Sequence, residues 1–240
     1  MSQTFHLCLA NDTIVADAKQ LNSTIDELKN IRIAVSLTVI HQPVMCLQFN
    51  YQISLPTPSL ISQLNWPTWK VEQVGFADYL WEETCLECFI AGDLINNNRI
   101  DKNTSPYIEI NASPDGRYAL YQFESYRKPV ILPPTPLMLT DNKTRASIDW
   151  SGYIKPAITL TQTKTSEPSS KTSKPIDFEQ SFNIPITQVS NNKYAMYGTP
   201  IEYIHPCVIL WLNKTALYFA VSHPTPPDFH NCHYWSKGEI

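Results

Sequence analysis

Residues 107–127 read YIEINASPDGRYALYQFESYR, and this stretch decides the fold. Ile108, Ile110 and Ala112 alternate with Tyr107, Glu109, Asn111 and Ser113. Successive strand side chains point to opposite faces, so the apolar set faces a core and the polar set shares the other side. Pro114-Asp115-Gly116 has the chemistry of a tight turn, and residues 117–127 form the return strand.

Working outward, residues 79–90 read YLWEETCLECFI and are expected to be a strand of unusual acid content. One face would carry Trp81, Glu83, Cys85, Glu87 and Phe89; the other would carry Glu82, Thr84, Leu86, Cys88 and Ile90. If Leu86, Cys88 and Ile90 join Ile108 and Ile110 in the core, Glu87 falls on the side of Glu109. The candidate site is then Glu87, Glu109 and Asn111, with Trp81 or Tyr121 beside them. Carboxylates, an amide and aromatic rings suit a sugar, whose pyranose face stacks on rings and whose hydroxyls need polar partners. The competing reading is a solvated sheet face. Arg127 either clamps an acidic ligand group or bridges to Glu109 or Glu87. On an open face, Glu109→Gln would leave stability nearly intact; in a closed bridge with Arg127 it would destabilise. Two glutamates can also act as acid and base in glycoside hydrolysis.

Further strands are expected from the alternation in 31–40 and 46–55, read as a hairpin, and in 182–186, 208–212 and 216–221. Residues 146–161 would supply one or two more. Ser23 is placed to cap a short helix ahead of Ile25. Nineteen prolines and six glycines punctuate many short strands better than long helices. These features predict an all-β chain: a single-domain, two-sheet antiparallel β-sandwich of immunoglobulin-like or jelly-roll type, with Ile108, Ile110, Leu120, Val208, Leu210 and Leu212 inside. Residues 162–175, QTKTSEPSSKTSKP, are too polar to bury and predict a mobile insertion. The tail after residue 222 reads as loop. It places His223, Asp228 and His230 at the rim of the sheet face.

Other classes fare worse. A formal net charge of -4 with no basic run argues against nucleic acid and against anionic membrane surfaces. Neither a signal peptide nor a membrane-spanning stretch is seen, so a cytoplasmic location with reduced thiols is expected. Cys85-x-x-Cys88 has metal-ligand spacing, but no second pair follows, and strand geometry would split the two. No nucleophile motif is present.

Three stretches resemble bacterial DOMON-like domain proteins: LWEETCLECF at 80–89, the 107–127 stretch quoted above, and His223-Pro224 followed by Pro227-Asp228-Phe229-His230. The resemblance spans roughly residues 31–127 and 206–230. That family is grouped with DOMON domains and family-nine carbohydrate-binding modules, β-sandwiches that bind sugars or haem. It implies a non-catalytic ligand-binding module. Leu86, Cys88 and Tyr118 depart from the family pattern, and Tyr118 stands where the family has Trp. The expected partner is a small molecule, a sugar first, with no cofactor. The alternatives are a haem module, with His223, His230, Met45, Met138 or Met196 as axial ligand, and an enzyme or accessory subunit acting on sugar or cell-wall precursors.

Overall fold

Period-two alternation becomes strand wherever it is clearest. The computed structural model describes residues 2–41, 43–92, 105–150, 176–189 and 201–239. Its strands are β1 (Ser2–Leu9), β2 (Arg32–Ile40), β3 (Cys46–Leu55), β4 (Gly75–Phe76), β5 (Cys85–Ala91), β6 (Tyr107–Ala112), β7 (Arg117–Phe123), β8 (Ile176–Pro185), β9 (Tyr203–Leu212), β10 (Thr215–Ala220) and β11 (Ser236–Lys237). Short helices α1 (Ile14–Gln20), α2 (Ile25–Lys29), α3 (Pro58–Gln63) and α4 (Ile186–Val189) sit between them. The chain is therefore mostly β. Where two separate sheets were expected, the hydrogen-bonded ladder runs unbroken through eleven strands in the order β4-β7-β6-β5-β9-β10-β1-β2-β3-β8, with β11 on β9. The sheet is strongly curled. The continuity comes from β1, whose residues 2–7 pair with β2 while residues 8 and 9 pair with β10. The β4–β7 pair is parallel.

The curl encloses the main core. Ile33, Val35, Leu37, Phe49, Tyr51 and Ile53 from the β2–β3 hairpin meet Leu86, Cys88, Ile108, Ile110, Leu120, Val208, Leu210 and Leu212. All six interior residues expected from the sequence belong to this core. Phe182 of β8 stacks on Phe49 with centroids 4.9 Å apart. The buried Tyr51 hydroxyl of β3 donates across this core to the Glu87 carbonyl of β5 at 2.8 Å. Removing it in Tyr51→Phe should cost about 1 kcal/mol, the net worth of one such bond. The expected result is a lower denaturant midpoint with an unchanged slope.

The β6–β7 turn forms as its chemistry predicts. Gly116 N–H donates to the Ser113 carbonyl at 3.0 Å, and Gly116 has φ +104°. A Cβ there would lie 2.9 Å from Val74 Cγ2, so only glycine fits.

Several local expectations are corrected. Residues 79–84 do not join the strand: Tyr79 is left-handed at φ 62°, Leu80–Glu82 form a 3-10 turn, and β5 starts at Cys85. The cap of α2 is Thr24, whose hydroxyl accepts from Glu27 N–H, while Ser23 donates to the Glu27 carboxylate at 2.7 Å. Residues 146–150 form only an isolated bridge between Asp149 and Asn183. The insertion at 162–175, and with it the expected strand beyond residue 150, lies outside the described residues.

Candidate functional site

The sequence leaves the second face of β5–β7 and β9 open between a ligand site and a solvated sheet. That face is not solvated. Cys85, Phe89, Tyr107, Ala119, Phe123 and Cys207 form a second core there, closed by Phe229 and Trp235 from the tail. Trp235 Nε1–H donates to the Phe229 carbonyl at 2.9 Å and fixes that layer. Every residue of β5 is consequently buried, on both faces.

Glu87 and Glu109 project into this layer. Antiparallel pairing sets Glu87 opposite Asn111 and Phe89 opposite Glu109, so the two carboxyls are diagonal neighbours on one face. The face assignment expected from the sequence therefore holds, and so does the split of Cys85 from Cys88 between the two cores. Glu87 is 3% exposed and Glu109 4%. Both line a half-open cavity of about 400 Å³, together with Trp81, Arg127, Asp228 and His230. The remaining walls are apolar, from Phe89, Phe123, Ile209, Tyr218, Phe229 and a loop carrying Val130, Ile131 and Leu132.

Burial governs the electrostatics. Glu87 is held well above the usual carboxylate range, first by desolvation and then by the nearby Glu109. Desolvation also raises Glu109, to about 7, against the opposing pull of the Asn111 amide and the Arg127 charge. Asn111 Nδ2 donates to Glu109 Oε1 at 2.7 Å. Glu87 Oε1 has no hydrogen-bond partner among the described residues. His230 Nε2 faces Glu109 Oε2 at 3.7 Å. The contact is no ion pair below neutrality, because burial drives His230 down to about 3 while it drives Glu109 up. On its other side His230 Nδ1 meets the Tyr107 hydroxyl at 2.7 Å, and that hydroxyl accepts from Arg127 N–H at 3.1 Å. The phenol's own hydrogen is then free for Nδ1, which assigns the ring hydrogen to Nε2, directed at Glu109.

Arg127 bridges to neither glutamate. Its Nη2 pairs with Asp228 Oδ1 at 2.7 Å. Burial pushes the Asp228 carboxyl up, but hydrogen bonds from Tyr126 and Arg127 outweigh it and hold it below its ordinary value. Three of the proposed residues do not line the cavity. Asn111 is fully buried and acts there only through its bond to Glu109. Tyr121 lies behind Trp81, with ring centroids 5.9 Å apart, and donates to Asp78 at 2.8 Å. His223 turns away, with Nε2 2.8 Å from the Cys8 carbonyl oxygen, and ties the tail to β1. Tyr118, which stands where the resembled family has Trp, packs against the main core.

The sequence reading missed His205. It sits in β9 opposite Phe89, stacked on Trp235 with centroids 6.2 Å apart, and burial lowers it to about 3. The strand expected at 208–212 in fact starts at Tyr203 and runs through Pro206. Among the described residues, no group of three or more His, Cys, Asp or Glu is arranged to hold a metal ion, and no helix is long and apolar enough to cross a membrane.

Comparison of the chain with known protein families, with curated proteins and with solved structures found no match.

Proposed function

We propose that this chain is a non-catalytic ligand-binding β domain that holds a carbohydrate or related polar small molecule over Glu87 and Glu109. One observation carries the reading: Glu87 Oε1 is buried, lines the cavity and has no partner among the described residues. A buried acceptor left bare costs about 1–3 kcal/mol, and a ligand donor would recover it. The aromatic walls, Trp81 and Tyr218 among them, offer stacking surface. The resemblance of β5–β7 and the tail to DOMON-like proteins supports the same reading, and with it a β-sandwich description of the curled sheet. Of the candidate haem ligands, His230 lines the cavity, Met45 and Met138 do not, and Met196 is outside the described residues. An enzyme or accessory subunit is the second reading, favoured by Glu109 standing near neutrality beside another carboxyl.

A thermal-shift panel of methyl glycosides and free monosaccharides tests the proposal, since a ligand of the native state raises the melting temperature by mass action. At least one sugar should stabilise the wild type and fail to shift Glu87→Leu. A panel without any shift, or an equal shift in that variant, would sink the carbohydrate reading. Assaying the same panel for turnover separates binding from hydrolysis.

A further inference from the structure

We propose that the ligand class this cavity selects is an organic cation with an apolar body, such as a protonated amine, seated between Glu87 and Glu109. The proposal rests on the cavity being a ligand site, as argued above, and goes beyond the carbohydrate reading in the class of ligand it names.

The composition of the walls points to this chemistry. Three carboxyls line the cavity, Glu87, Glu109 and Asp228, against a single Arg or Lys among the described lining residues, Arg127. Arg127 is already neutralised by Asp228 at 2.7 Å. His230 adds no charge, being held neutral by burial. The two glutamates are thus left without a cation of their own. Among the described residues, Glu87 Oε1 is bare and Glu109 has only Asn111 within hydrogen-bonding distance. Around them stand aromatic faces, Trp81, Phe89, Phe123 and Phe229, which attract a cation over the ring and accommodate an apolar body. At the mouth, Val130 and Leu132 are 86% and 72% exposed and extend the apolar wall outward.

The empty pair carries protons that a cation would displace. On binding, a protonated glutamate releases its proton to solvent, and the resulting carboxylate pairs with the ammonium group. The other titratable groups nearby do not compete for this role. Cys85, Cys207, Tyr121 and Tyr218 are all pushed upward and stay neutral. Asp228 and Arg127 stay charged as a pair. Affinity for a permanent cation should therefore rise with pH toward the value of about 7 held by Glu109. A neutral polyol bonds to either protonation state and should respond little.

Isothermal titration of the full chain with cyclohexylamine, cyclohexanol, cyclohexanecarboxylate and methyl glucoside tests this at pH 5.5 and 7.5. The ring is the same throughout the first three, and only the charge changes. Cyclohexylamine should bind more tightly than its neutral and anionic analogues, on the order of tenfold better at the higher pH, with net proton release. The Glu87→Gln/Glu109→Gln double variant should lose that preference while still melting cooperatively. The wild-type pH profile needs no variant and stands even if the double variant fails to fold. Cyclohexanol or methyl glucoside binding as well as the amine, or amine binding that is flat with pH, would overturn the cation and leave the ligand site intact. Silence toward all four probes and the sugar panel would overturn both.

Discussion

Glu109→Gln is expected to stabilise the protein at pH 8, by about 1–3 kcal/mol, and to leave it unchanged near pH 4.5. Burial moves the Glu109 carboxyl from an ordinary 4.5 to about 7. A group whose folded value is raised contributes stability that is fully present below its unfolded value and is lost as pH rises through the folded one. The loss therefore falls between about pH 4.5 and 7, and above it the folded state carries a buried charge. Glutamine keeps the shape and the oxygen that accepts from Asn111 at 2.7 Å, but has no charge to desolvate. His230 works in the other direction. Its folded value of about 3 lies below its ordinary 6.5, so its contribution is present above 6.5 and lost as pH falls toward 3. Comparing variant with wild type at each pH largely cancels that background. Denaturant titrations at pH 4.5, 6 and 8 measure the difference directly. A variant less stable than wild type at pH 8 would mean that Arg127 and His230 hold the ionised carboxylate, and that its burial carries no strain for a ligand to relieve.

That expectation differs from both outcomes available to the sequence, a harmless swap on an open face or a damaging one in an Arg127 bridge. The faces were legible because strand periodicity is local: Ile108 and Ile110 send Glu109 and Asn111 together to the other side, and Leu86 and Cys88 do the same for Glu87. What covers a face is not local. Here the cover is Phe229 and Trp235, which lie in a proline-interrupted tail without periodicity, more than a hundred residues from β5, β6 and β7. One signal was present. Cys85 and Phe89, with Cys207 and Ile209, put apolar side chains on the face left open between a ligand site and solvent, and strands apolar on both sides are normally covered on both. Trp81 reached the cavity by another route, a 3-10 turn after a left-handed Tyr79, which alternation cannot express. His205 was hidden because a central-strand proline is rare enough to argue against a strand.

Trp235→Ala should have the largest effect of any single change discussed, about 3–5 kcal/mol of lost stability, the range for truncating a buried tryptophan or phenylalanine. Trp235 is 6% exposed. It lies 5.3 Å from Tyr107 and 5.8 Å from Phe89 by ring centroid, and it stacks on His205. Truncation would open a void above β5 and β6 and take from the Phe229 carbonyl the indole N–H that donates to it. Trp235→Phe would keep most of the apolar contact and lose the bond, for about 1 kcal/mol. The gap between the two variants separates packing from hydrogen bonding, and equilibrium denaturation measures both. The alanine variant should also bind ligand more weakly at temperatures where it remains folded. Phe229 and His230 form one wall of the cavity, and Trp235 fixes the segment that carries them. Val130→Ala, on the exposed mouth of the same cavity, should leave stability within about 0.5 kcal/mol. If Trp235→Ala proved equally mild, the tail would be a detachable flap, and the buried state of Glu87 and Glu109 would fail with it.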